Sequence, residues 1–166
     1  MLLNYRKLLR LFAVSILLAG TMSVTHADDD DDDDDDDHMP IATNKLWKTE
    51  CGSCHVAYPP NLLPAASWRK IIRGLDEHFG TDASLTASET REVAAFLEKN
   101  AGRSRHDTSG RPLLRITETR WFQHEHDEVS GRAWKNPKVK SAANCAACHT
   151  LAEDGNYSER YIKIPR

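Results

Sequence analysis

Between Ser67 and Gly80, in SWRKIIRGLDEHFG, the apolar residues Trp68, Ile71, Ile72, Leu75 and Phe79 recur at helical spacing. The pattern predicts one amphipathic helix ending at Gly80, a residue suited to a C-cap. His78 follows Leu75 by three positions and Ile71 by seven, so it falls on the apolar face. Downstream, SLTASETREVAAFLEKN predicts a second helix. Thr86 and Glu89 form a capping-box pattern, and Val93, Phe96 and Leu97 make the buried face. In TETRWFQHEHDEV a third stripe runs through Phe122, His126 and Val129, with His124 two residues off it towards the charged side. No strand-like alternation of any length appears, so the fold class is mainly α.

The breaks in this pattern organise the chain. NAGRSRHDTSGRP, residues 100–112, is rich in Gly, Ser and charge and reads as a short linker. It separates two small helical modules, 40–103 and 112–166. AYPPNLLP reads as a proline-stiffened loop, suited to offer a backbone carbonyl to the Nδ1 proton of the nearby His55. Modules of this size rarely hold together on apolar burial alone and need a staple.

At the N-terminus, Arg6, Lys7 and Arg10 precede the apolar run LFAVSILLAG, and small residues end at Ala27. Residues 1–27 therefore read as a Sec-type secretory signal peptide, implying export to the periplasm. The apolar run is too short for a comfortable membrane span, which needs roughly 20 residues. An uncleaved anchor is the alternative. Ten aspartates follow, Asp28 to Asp37. Such a run repels itself, so residues 28–39 are expected to form a disordered acidic tail. Its role is solubilising, with weak calcium binding or docking to a basic partner as alternatives. From His38 onward the chain has 19 Lys plus Arg against 15 Asp plus Glu. That mildly basic balance suits an acidic protein partner and is too small to suggest nucleic acid.

The chemistry sits in two copies of one pattern, C-G-S-C-H at Cys51–His55 and C-A-A-C-H at Cys145–His149, which use all four cysteines. Disulfides or a structural zinc would explain the thiols but leave the two following histidines to chance. With eight histidines in 166 residues, one falls at a given position about one time in twenty. Two such coincidences come to about one in four hundred. Covalent c-type haem attachment explains all six residues. Cys51 and Cys54, and Cys145 and Cys148, would each bond two vinyl groups, and His55 and His149 would bind iron as proximal ligands.

Each iron then needs a sixth ligand. The methionines are Met1, Met22 and Met39, of which two leave with the signal peptide and the third borders the aspartate run. Methionine ligation of both irons is therefore impossible, and histidine remains. His78 and His126 lie on apolar stripes, whereas His38 and His106 fall in polar segments and His124 lies off its stripe. No histidine or methionine follows His149, so the second iron must draw its ligand from upstream. His126 precedes His149 by 23 residues, and His78 follows His55 by 23. The tryptophans Trp47, Trp68, Trp121 and Trp134 read as packing around the haems.

The blocks NKLWKTECGSCHVAYPPNLLPAASWRKIIRGLDEHFGTDASL, HEHDEV and NCAACHTLAEDGNYSERYIKIP resemble the dihaem cytochrome c family of bacterial periplasmic proteins. The resemblance spans nearly all of the chain after the aspartates. It implies low-spin, bis-histidine haems in a two-module helical protein. Carried over by position, it covers Cys51, Cys54, His55, Cys145, Cys148, His149 and His78. It also covers His126, although the His124–Glu125–His126 doublet leaves that position open. Some relatives are thought to pass electrons to an oxygen-binding monohaem cytochrome c or to work near a membrane b-type cytochrome.

The reading is thus an electron carrier with two haem c groups, not an enzyme, and not embedded in the membrane after signal cleavage. A peroxidase or gas sensor with an open distal site is the alternative, and a disulfide- or zinc-stapled interaction module is a third. Arg132, Lys135, Lys138 and Lys140, shortly before the second motif, read either as a solvated loop or as a steering patch for an acidic redox partner.

Overall fold

The structure, a computed structural model, describes residues 42–103 and 111–166. The signal-peptide pattern, the aspartate run, His38, Met39 and His106 lie outside the described residues. Helix α1, Lys45–Cys51, starts where the Asn44 side chain accepts a hydrogen bond from the Trp47 amide at 2.8 Å. It ends as the Gly52 amide bonds back to the Lys48 carbonyl.

Helix α2, Ala65–Arg73, begins behind Pro64, whose carbonyl accepts from the amides of Ser67 and Trp68 at 2.9 and 3.2 Å. The helix predicted to run on to Gly80 stops six residues earlier, at Gly74. Gly74 leaves helical geometry at φ −122°, ψ 33°, and the chain continues as a 3-10 turn, Leu75–Glu77. The apolar spacing survives this change of winding because a 3-10 turn still returns every third residue to one side.

Helix α3, Ala87–Lys99, carries the predicted capping box. The Thr86 amide donates to Glu89 Oε2 at 2.9 Å, and the Glu89 amide donates to Thr86 Oγ1 at 3.4 Å. Its face meets α1 and α2 in a core of Trp47, Leu63, Trp68, Val93 and Leu97, all buried. Each such side chain contributes about 1.5–3 kcal/mol of burial. Trp68 keeps its indole N–H satisfied by donating to the Pro60 carbonyl at 2.6 Å. Trp47 and Trp68 thus pack in the protein's own core.

The second half is built differently. Helix α4, Arg120–Glu125, has six residues, and α5, Gly131–Trp134, has four. Thr119 and Ser130 cap them through their hydroxyls. The rest is 3-10 turns and loop. Phe122, Val139 and Ala152 are buried there without joining the main core. Among the described residues there is no strand, only isolated bridges. Nor is any helix among them long and apolar enough to cross a membrane.

The described residues belong to one compact unit, Asp35–Arg166. The predicted linker is partly tied down. Ala101 packs on the core, and the Gly102 amide donates to the Leu63 carbonyl at 2.9 Å, while residues 104–110 lie outside the description. Ile116, from beyond the linker, packs against the core of the first half.

A Cβ at Gly102 would collide with the Asn61 carbonyl, whereas one at Gly131 would meet nothing within 4 Å. Gly102→Ala should therefore destabilise the protein by about 1–3 kcal/mol through forced backbone movement. Gly131→Ala should be neutral or stabilising by up to about 1 kcal/mol. Thermal unfolding of the two variants side by side checks this. Equal midpoints would contradict the packing described here.

Candidate metal centres

The first motif grows out of α1. Cys51 is the last helical residue, and a Cβ at Gly52 would run into the Lys48 carbonyl, so only glycine lets the chain turn there. The turn delivers Cys54 to the surface and His55 beyond it. His55 Nδ1 lies 2.7 Å from the Val56 carbonyl. A carbonyl can only accept, so Nδ1 carries the proton and Nε2 keeps the lone pair. The partner is Val56 itself, just ahead of the proline segment expected to supply it. The Tyr58 ring stacks on the imidazole at 4.6 Å and 20°.

His78 sits at the end of the Leu75–Glu77 turn rather than on a helical face. Phe79 and Gly80 follow at φ 51° and 94°, and the Thr81 amide closes the turn on the His78 carbonyl at 3.1 Å. This tight turn brings His78 back towards His55. The two ring centres are 6.3 Å apart with planes 27° from parallel. Arg115, from beyond the linker, lies over the Phe79 ring at 4.1 Å.

The second motif is wound as a 3-10 turn, Cys145–Ala147, and the His149 amide reaches back to the Cys145 carbonyl at 2.9 Å. The C-terminal segment braces it: the Lys163 amide donates to the Cys148 carbonyl at 2.8 Å, and Ile162 bridges His149. His126 caps the end of α4, with Nδ1 2.8 Å from the Phe122 carbonyl and its ring stacked on Phe122 at 4.1 Å. Trp134 lies alongside at 5.9 Å. The His126 and His149 ring centres are 6.0 Å apart, with planes at 69°. His124 points away, its side chain 82% exposed and 3.9 Å from Asp127. The helix ends sooner than the stripe implied, yet His126 still returns to Phe122.

Burial disfavours charge at both sites. It lowers the pKa of His78, helped by charge on His55 and Arg115, and lowers that of His149, helped by His126. The Tyr157 backbone pulls His149 weakly the other way, but does not reach hydrogen-bond geometry, so the buried Nδ1 has no partner. Neutral imidazole is the metal-binding form. The thiols behave oppositely: burial, with Glu50 adding, pushes Cys51 up to about 11, and burial pushes Cys145 up to about 11 as well. All four are free thiols in this structure. Among the described residues no group of three or more His, Cys, Asp or Glu could hold a metal ion.

The spacing of each pair of rings leaves room for one metal ion between them. A metal–nitrogen bond of about 2.0 Å and roughly 1.1 Å from nitrogen to ring centre would put two imidazoles on one metal about 6.2 Å apart. The observed 6.3 and 6.0 Å match this closely. Two histidines cannot close a tetrahedral zinc. With a haem bound, His55 with His78 and His149 with His126 would be placed to ligate its iron. The exposed large apolar residues also cluster at these sites: Phe79 follows His78, and Tyr161, Ile162 and Ile164 surround the segment paired with His149.

The family model for dihaem cytochrome c matches residues 47–157. The chain belongs to the dihaem cytochrome c family. Among solved structures, it is similar to a diheme cytochrome c from Rhodobacter sphaeroides at 42% identity and TM-score 0.65. That match covers 70% of this chain and 98% of the other. A second Rhodobacter sphaeroides structure, DHC, aligns at 47% identity and TM-score 0.62, covering 70% and 99%. A diheme cytochrome type c from Shewanella baltica OS155 aligns at 41% and 0.65, covering 75% and 95%. Among curated proteins none matches significantly. As a dihaem cytochrome c, the protein carries two haem c groups.

The sequence reading missed Tyr58, Tyr157 and Arg115. Only the short spacing of Tyr58 after His55 could have signalled one of them.

The two plane angles generate a spectroscopic prediction. Near-parallel imidazoles on an iron split its two π-type d orbitals, whereas near-perpendicular ones leave them close in energy. If each pair closes one haem iron, electron paramagnetic resonance of the oxidised protein should give two low-spin signals of equal weight. One should be rhombic, from the pair at 27°, and one strongly axial with a large highest g value, from the pair at 69°. Two identical rhombic signals would contradict the observed angles.

Proposed function

We propose that the protein is a periplasmic electron carrier whose two low-spin haems are each closed by two histidines. Cys51, Cys54 and His55 hold the first haem, with His78 as its distal ligand. Cys145, Cys148 and His149 hold the second, with His126 distal. The observation that carries this reading is the sorting of four imidazoles into two facing pairs, while exposed His124 joins neither. Each haem supplies a one-electron iron couple when bound. The chain's residues do the rest.

Their first task is to keep water and small ligands off the iron. His78 and His126 hold the distal positions, His78 at the end of its turn and His126 stacked on Phe122. Their second task is to set the potential. The carbonyls of Val56 and Phe122 accept from the Nδ1 protons of His55 and His126, which makes these imidazoles stronger donors. Strong donation favours the oxidised iron, so both haems should titrate well below His/Met cytochromes c.

Their third task is docking. Arg132, Lys135, Lys138 and Lys140 are all exposed before the second motif. They suit an acidic redox partner approaching the second haem, such as an oxygen-binding monohaem cytochrome c or the soluble face of a membrane b-type cytochrome. Reversing these four charges should slow reduction by an acidic redox protein about tenfold or more at low salt and flatten its salt dependence. Stopped-flow rates across a salt series check this, and unchanged rates would remove the patch from the docking surface.

Carbon monoxide separates a closed carrier from an open haem enzyme. The reduced protein should bind almost none. His78→Ala and His126→Ala should each give a high-spin signal and carbon monoxide uptake at half of the total haem. His124→Ala should leave both haems closed. Stoichiometric uptake by the unaltered protein would favour gas binding or peroxidase chemistry instead.

A further inference from the structure

We infer that Tyr58 couples the two haem sites: its ring backs the first proximal histidine, and its hydroxyl fixes the carbonyl beside the second site's first attachment cysteine. The inference rests on the ligand assignment proposed above. The Tyr58 ring lies on His55. Its hydroxyl reaches across 85 positions of sequence to donate to the Ala143 carbonyl at 2.6 Å. The same carbonyl lies 3.7 Å from Cys145 Sγ. A free thiol donates weakly to that oxygen, but a thioether has no proton to give. With Cys145 bonded to its haem, Tyr58 is the donor left on the carbonyl.

The surroundings hold this contact in place. The Ala143 amide donates to Ser141 Oγ at 3.1 Å, and Asn144 Nδ2 donates to the Val139 carbonyl at 3.1 Å. Tyr157 packs on His149 at 5.3 Å, with its hydroxyl buried and unpartnered. A carbonyl can only accept, so the Tyr58 phenol, ordinarily neutral below about pH 10, is the donor of the hydrogen bond to Ala143. It neither gains nor loses an electron.

The consequence has a sign. A carbonyl oxygen carries partial negative charge, and the oxidised haem is one unit more positive than the reduced one. Removing the donor uncovers that negative charge beside the second haem and favours its oxidised form. A change next to the first motif thus lowers the potential of the second haem.

The test uses the full holoprotein and a redox titration followed by electron paramagnetic resonance, so that each midpoint is read from its own signal. Tyr58→Phe removes one oxygen and keeps the ring. It should retain two covalent haems and leave the first signal in place. It should shift the second haem's one-electron equilibrium about threefold towards oxidation, roughly half of the 59 mV that a tenfold change represents. Tyr58→Leu removes the ring as well. It should lower the second midpoint similarly and also alter the first signal. A second midpoint that stays put in both variants, or a shift confined to the first haem, overturns the inference. The ligand assignment fails separately, if the unaltered protein holds fewer than two covalent haems or gives a high-spin signal.

Discussion

The proposed ligation requires two imidazoles to face each other across about 6 Å, twice, in a chain with little regular structure to hold them. The facing distance is set by metal–ligand bond lengths and tolerates little error. Each pair joins residues 23 positions apart in sequence, too close for separate domains and too far for one helix turn. The first pair is closed by a helix, a glycine break and a tight turn. The second is closed by α4, a short capped helix, and a loop that brings His149 back to His126. Helix lengths, caps and breaks in this protein make most sense as the geometry that meets this one spacing.

The halves meet it with different resources. The first has a protein core of its own, in which Trp47, Leu63, Trp68, Val93 and Leu97 lock three helices together. The second has no helix longer than six residues, and its buried residues stay outside that core. Its exposed apolar residues, Tyr161, Ile162 and Ile164, lie in the segment that braces the second motif. Their burial is a contribution the haem is suited to make, as a large apolar body fixed by two thioethers. The second half thus depends more on its cofactor than the first, for reasons visible in the protein alone.

The sequence made the chemistry legible and the winding less so. Two Cys-x-x-Cys-His motifs name the cofactor because each of their six residues has a job in haem attachment. The supply of histidines and methionines bounds the distal ligands by exclusion. The capping box at Thr86 and Glu89 reads correctly because a cap is local, with both partners within four residues. The helix through His78 reads wrongly because apolar spacing cannot distinguish an α-helix from an α-helix followed by a 3-10 turn. Gly74 was the available signal, and it lost to the longer periodic pattern. Tyr58 and Arg115 were not legible because their partners, Ala143 and Phe79, are 85 and 36 positions away. Sequence patterning carries no information at that range.

The turn after His78 joins these points. Phe79 is a non-glycine residue at φ 51°, a conformation that costs about 1–2 kcal/mol. An unstrained helical continuation would carry His78 onward with the helix instead of turning it back towards His55. The strain is therefore the cost of the facing geometry, and something must hold it. Arg115 over the exposed Phe79 ring contributes about 0.5–1 kcal/mol, and the Thr81–His78 hydrogen bond contributes about as much again. Together these are of the size needed. Arg115 belongs to the second half, and its neighbour Ile116 packs into the core of the first. His78 is thus kept in position partly by residues from beyond the linker. Tyr58 makes the reverse connection, from the first motif to the second. Each half thus braces residues beside the other's motif.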